Sequence, residues 1–405
     1  MSERRVPRGS SVRLGQVDGD LVLETKVRVE ADGRTVVAGT VRCRGDAEFV
    51  GALECRELRV DDGEVTVGGD LVVHEALEGR DGSVDVRGGL TAGTVDVDRR
   101  LRIAGPAQAE RFEVGGTLEG AATLTANRVA VGGRFVLAGK LTAQKVEAGG
   151  QLDVGEVDLE SLEAGGSAEV KGGTVRGPIE VGGRFRSTAP LAFGSLEVGG
   201  VAELGAGSKG GTVEVGGRFA AAGDLSFAHL EVGGIGSIDG NGSGEGVEIG
   251  GKFDVRGSLR LQGKAEVGGA IGVGEQLEGS DLEVGGKLEA RRAVFSGTAE
   301  IGGILVTREG LKAARIRLGR RSRATGPLVG GDVDVGARAR VEDVYGDGVH
   351  LGDRSEARKV CGVRVRLGDE ATAEEVVYSA SVEVGHDARA RTPPRKVDHL
   401  DPFPL

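Results

Sequence analysis

The sequence predicts an all-β chain wound as a single continuous β-solenoid, a three-sided β-helix of about 24 coils of ~17 residues each. Three observations predict it. Glycine makes up 75 of 405 residues, while proline is only 9, Trp is absent and aromatics are 3%. A collagen-like period is missing, and the many Val, Leu, Ile and Ala residues set the chain apart from disordered sequences. The phrase V-E-V-G-G recurs, with first glycines at Gly115, Gly132, Gly149, Gly165, Gly182, Gly199, Gly216, Gly233, Gly250, Gly268, Gly285 and Gly302, in steps of 16 to 18 residues. Within each unit apolar residues alternate with period two in short bursts, which is the strand periodicity. Three such bursts make one coil, and each strand pairs with its counterpart one coil on, which satisfies the backbone donors and acceptors. Glycine in every turn disfavours helix by roughly 1 kcal/mol per residue, and the glycines are expected to supply φ > 0 corners.

The chain then divides in order. Residues 1–11 read as a short basic tail carrying Arg4, Arg5 and Arg8. Residues 12–114 read as irregular coils, with single strands around Val12/Leu14, Val27/Val29, Val41/Cys43 and Leu58/Val60. Residues 115–304 are the regular double-glycine coils. Residues 305–390 keep the phase with one glycine each, at Gly319, Gly336, Gly352, Gly368 and Gly385. Residues 391–405 form a tail with four prolines, too many for a strand or helix, that still carries Val397, Leu400, Phe403 and Leu405. At about 4.8 Å per coil the rod is expected to be roughly 115 Å long.

A second period lies inside the first. Two residues after the glycine pair stand Phe185, Ala202, Phe219, Gly236 and Phe253, alternating large and small. An interior column predicts this, because adjacent layers of a narrow core have no room for two phenyl rings. Phe193 and Phe227 repeat the same spacing.

Chemistry is sparse. Net charge is −11, which argues against general nucleic-acid binding. Cys43, Cys55 and Cys361 form no C-x-x-C, so a reducing compartment is the simpler reading. The five histidines occupy different phases of the repeat, and no phosphate loop or nucleophile elbow is present. The segment around Asp239 and Asn241 reads as a loop bulging from a corner. No catalytic, cofactor or metal residues are assigned, and no enzyme activity is expected. The clearest surface pattern is an outward acidic ladder of Glu180, Glu197, Glu214, Glu231, Glu248, Glu266, Glu283 and Glu300, also occupied in earlier coils by Glu113, Glu147 and Glu163. Carboxylates about 5 Å apart in water repel by roughly 0.8 kcal/mol per pair. The ladder reads as a solvated face that keeps rods from sticking sideways, with Arg134, Arg184, Arg218, Lys252 and Lys287 after the glycine pairs placed to offset the repulsion. A divalent-cation site or a surface for a basic partner is the alternative reading.

A solenoid's ends expose unpaired strand edges and a core cross-section. The residues expected to form a polymer or partner interface are Val12 and Leu14 at one end, and Val382, Val384, Leu400 and Phe403 at the other. The opening residues lack an apolar signal segment, and no run of about 18 apolar residues occurs. The expected location is therefore the cytoplasm, with at most weak membrane association through the N-terminal arginines.

The V-x-V-G-G and V-x-L-G units, most of all from Ile316 to Ala390, resemble the bactofilins, a family of polymer-forming cytoskeletal proteins. The resemblance implies a right-handed triangular β-helix that polymerises through its ends without nucleotide, with itself or with another bactofilin-like protein, in scaffolds that affect cell shape at the inner face of the membrane. This chain departs from the family in being much longer than a bactofilin core, which leaves a capped, non-polymerising rod that spaces or regulates a shorter bactofilin as the alternative. The β-helical part of the flagellar assembly protein A family is less similar. A solenoid acyltransferase is disfavoured because 16- to 18-residue units do not divide into hexapeptides. A solenoid lyase is disfavoured by the scarcity of aromatics, an ice-binding rod by a ladder of Glu instead of Thr, and an adhesive rod by the lack of a secretion signal.

Overall fold

A computed structural model describes residues 3–404 of the chain; Leu405 lies outside them. The described residues contain strands and no helix. All strands pair in parallel, and the fold is a β-solenoid of about 23 turns with ~17 residues per turn. The chain forms two compact units, Met1–Gly200 and Val201–Leu405.

The regular turn is visible in the second unit. Strands Leu225–Ser226, His229–Val232 and Ile235–Ile238 make one turn. Gly242–Gly244, Gly246–Ile249 and Lys252–Val255 make the next, each pairing with its predecessor. Three strands per turn follow from the three apolar bursts per repeat. The hydrogen bonds run between turns: Gly250 donates its N–H to the Val232 carbonyl at 2.9 Å, and Gly251 to that of Gly234 at 3.1 Å.

Alternation decides the core. In the turn around residue 290, Leu282, Val284, Leu288, Phe295, Ala299 and Ile301 are buried, so Phe295 and not Val294 takes the interior place. The aromatic column is interior. Phe219 stands in register with Gly236, which stands in register with Phe253, and both rings are fully buried. A Cβ added to Gly236 would lie 2.9 Å from Phe253 Cδ2, so glycine there is the small partner that the ring demands.

The glycine pairs differ from expectation. Left-handed φ is found at Gly9, Gly33, Gly63, Gly173, Gly207, Gly310 and Gly326, none of which belongs to a V-E-V-G-G phrase. The paired glycines are required by close approach instead. A Cβ on Gly250 would sit 2.3 Å from the Gly233 carbonyl oxygen, and one on Gly251 would sit 2.5 Å from that of Gly234. Any side chain there forces consecutive turns apart. After Gly303 the corner changes. The left-handed residues are Arg321, Arg338, Arg354, Glu370 and Asp387, one per turn at φ 55–59°. Each follows two residues after the single glycine of its turn, and the corner closes with a bond such as Ser355 N–H to the Gly352 carbonyl at 3.2 Å.

Three further expectations are corrected. The N-terminal residues are not a free tail: Glu3–Val6 is a strand paired with Asp20–Leu23. The prolines of the C-terminal tail do not exclude pairing, because Arg395 and Lys396 lie between Pro394 and Pro402 and pair with Val377 and Tyr378. The segment around Asn241 does not bulge. Its backbone N–H donates to Asp224 Oδ1 at 2.7 Å, its own Oδ1 accepts from Ser258 N at 2.9 Å, and Asp239 pairs with Arg256. Side chains of this kind tie one turn's corner to the next again at Asp281, Asp353 and Asp369.

Candidate functional site

The outward ladder is built by the strand that precedes each glycine pair. In Leu282–Val284 the two apolar residues are buried, and Glu283 between them is exposed. In the second unit Glu214, Glu231, Glu248, Glu266, Glu283 and Glu300 are successive register partners. In the first unit the column reads Asp96, Glu113, Ala130, Glu147, Glu163, Glu180 and Glu197. Burial raises the Asp96 carboxyl pKa, and the neighbouring carboxylates of Glu113, Asp98 and Glu78 add to the rise.

The cations that meet this column are not those expected. Lys252 and Lys287 turn to Asp254 and Glu289 on their own strands, both at 2.6 Å. Lys264 instead bridges Glu266 and Glu283 at 2.8 and 2.7 Å, and these two carboxylates raise its pKa. Lys145 and Arg128 hold Glu147, and Lys145 is the larger cause of that carboxyl's lowered pKa. Among the described residues Glu163, Glu180, Glu197, Glu214, Glu231 and Glu248 make no ion pair. Beyond Glu300 the same column becomes Arg317, Asp334, His350, Arg366 and Glu383. There both signs are mixed: Arg317 meets Glu300 at 2.6 Å, and His350 Nδ1 lies 3.0 Å from Asp334. Among the described residues no group of three His, Cys, Asp or Glu could hold a metal ion. Cys43 and Cys55 are free and buried, and burial pushes the Cys55 thiol up to about 12.

The C-terminal end carries an open edge. Residues 381–384 pair with residues 364–367 on one side, in the register Val365 with Val382 and Leu367 with Val384. Val365 and Leu367 are core residues, so Val382 and Val384 occupy core register with no turn above them. Val382 is half-buried and Val384 is 53% exposed. The other parts of this last turn are covered. Thr372 and Ala373 pair with Arg389 and Ala390, and Val377 and Tyr378 with Arg395 and Lys396. Phe403 is not part of this end surface. Its ring centroid lies 5.9 Å from that of Tyr345, two register steps back from Val377, so the tail folds along a side face. Leu400 is half-buried.

The N-terminal end is built differently. Val12 is half-buried, and Leu14 is only 2% exposed, so Leu14 offers a partner no surface. The outer strand is Glu3–Val6, where Arg4 is in register with the core residue Leu21 and Val6 with Leu23. An exposed cation at a core position marks a sheet edge guarded against pairing. Sequence reading missed Arg4 because the segment looked like a tail; its signal was the alternation of Arg4 and Val6 one turn before Leu21 and Leu23.

No protein-family model matches the chain, and neither curated proteins nor solved structures give a significant match. No helix long and apolar enough to cross a membrane occurs among the described residues.

Proposed function

We propose that the chain is a structural protein that assembles through its C-terminal end, with a second copy or a bactofilin-like partner, into a nucleotide-independent cytoplasmic scaffold of the kind that shapes cells. The observation that carries this reading is the open edge at residues 381–384, with Val382 and Val384 in core register and nothing stacked upon them. Pairing this edge satisfies backbone donors and acceptors and removes apolar surface from water. The lateral faces work in the opposite direction, since the unpaired glutamates repel a like face.

Arg4 favours a more restricted form of assembly. Stacking a partner on the N-terminal turn buries that cation against the Leu21 column, a costly step without a carboxylate to meet it. A chain with one open and one guarded end forms discrete pairs, or caps another solenoid, before it forms filaments. Negative-stain electron microscopy of the untagged protein across a salt series, without nucleotide, tests the reading. Filaments or end-joined particles support it, and discrete single particles at every salt and concentration overturn it.

A further inference from the structure

The coils after Gly319 carry a feature that end assembly does not explain. At one phase of four successive turns stand apolar doublets: Leu328-Val329, Val344-Tyr345, Val360-Cys361 and Val376-Val377. The first member of each is a core residue, and these core residues are successive register partners. Strand alternation therefore turns Val329, Tyr345, Cys361 and Val377 outward as one stripe. An outward stripe should be wet, yet Val329, Cys361 and Val377 are only 5%, 8% and 6% exposed.

The chain's own tail accounts for much of that cover. Arg391 donates its N–H to the Ala373 carbonyl at 2.9 Å, and Thr392 to that of Glu374 at 3.2 Å. Arg395 and Lys396 pair over Val377 and Tyr378, and the Val397 N–H reaches the Tyr378 carbonyl at 2.9 Å. The chain then turns back until Phe403 rests on Tyr345. Burial raises the Cys361 thiol pKa, and Asp401 and Arg395 of the tail lie near enough to act on it. The tail thus does two things. It bonds to the edge of the last turn at Ala373, Glu374, Val377 and Tyr378 while leaving residues 381–384 open, and it lies along the apolar stripe.

We propose that residues 391–404 are an intramolecular strap that restrains assembly: docked, it limits the C-terminal edge to residues 381–384, and released, it frees the rest of that edge and the Val329–Val377 stripe for a second copy. The proposal rests on the end-assembly reading above and names the regulation of that end. The occupant of the stripe in the isolated chain is its own tail, anchored by Phe403.

Thiol labelling with dithiobis(nitrobenzoate) reads strap release, because Cys43 and Cys55 are fully buried and serve as internal controls for the fold. In a chain ending at Ala390, and in Phe403→Ala, Cys361 is expected to react on the order of tenfold faster than in the full chain, with Cys43 and Cys55 still protected. Unchanged Cys361 reactivity in both variants overturns the strap. Sedimentation velocity on the same samples reads assembly. The shortened chain is expected to associate at lower concentration than the full chain; equal association with fast Cys361 labelling overturns the restraint. Adding Val384→Arg to the shortened chain separates the two readings. If the shortened chain associates more strongly and Val384→Arg leaves that unchanged, the strap stands and the end-edge reading fails. If Val384→Arg abolishes the gain, both stand.

Discussion

Between Gly233 and Gly303 each turn passes its corner on a glycine pair whose Cα atoms lie against the carbonyls of the turn before. From Gly319 onward one glycine remains, and an arginine or acidic residue in left-handed conformation completes the corner. The same column of outward residues changes with the corner, from glutamates to a mixture of both signs. One backbone winding thus tolerates two corner chemistries. The first stores its constraint in interatomic distance and is intolerant of any side chain. The second stores it in backbone strain at five non-glycine residues.

The largest expected effect separates these two constraints. Gly250→Val places branched atoms where even a Cβ lies 2.3 Å from a carbonyl oxygen, and should cost ~3 kcal/mol or more in urea unfolding. The residue after the single glycine is different. Asp353→Ala, which loses a side-chain bond to the Asp369 N–H, should cost only about 1 kcal/mol. Equal losses at the two sites would remove the distinction between the corners.

Next in size is the core of the glycine-pair coils. Gly236→Ala should cost about 1–3 kcal/mol by overpacking against Phe253, and Phe253→Leu in the same chain should recover part of that loss. Simple additivity of the two losses would mean that Gly236 and Phe253 are not the matched pair the alternation implies.

A gain is expected at the later corners. Arg338 holds φ 59°, and Arg338→Gly should raise thermal stability by about 1 kcal/mol, since relief of left-handed strain opposes the added chain entropy. A loss there would show that the arginine side chain contributes more than its strained backbone costs.

The smallest effects lie on the charged column, and they differ in sign. Glu231→Gln removes repulsion from Glu214 and Glu248 and should stabilise by a few tenths of a kcal/mol at low salt, fading at high salt. Arg317→Gln leaves Glu300 without its partner and should destabilise by a similar amount. Identical salt responses would mean that the column carries no net charge pattern.

Most of the winding was legible because glycine spacing and period-two alternation are local signals, repeated many times. Phe185 to Phe253 even reported layer volume. What stayed hidden depended on neighbours one turn away. Sequence cannot distinguish a glycine needed for φ from one needed for close approach, so Gly250 was read by the wrong mechanism. Lys264 stands at a different phase from Lys252, and only the fold shows that it, and not the lysine after the glycine pair, reaches the ladder. The core register of Val382 and Val384 at the last turn was legible because an end residue in core phase is left without a turn above it. Arg4 was missed because its segment looked like a tail, and the C-terminal tail's path depends on an apolar stripe built from four separate turns.

The central claim is that the uncovered edge at residues 381–384 is where assembly occurs. Sedimentation velocity of the full chain and of Val384→Arg, at matched concentration and salt, tests it most directly. The account predicts that the full chain associates with rising concentration, while Val384→Arg stays a monomer with an unchanged melting temperature, because a cation at that exposed core position blocks stacking without entering the interior. Association of Val384→Arg equal to that of the full chain would contradict it.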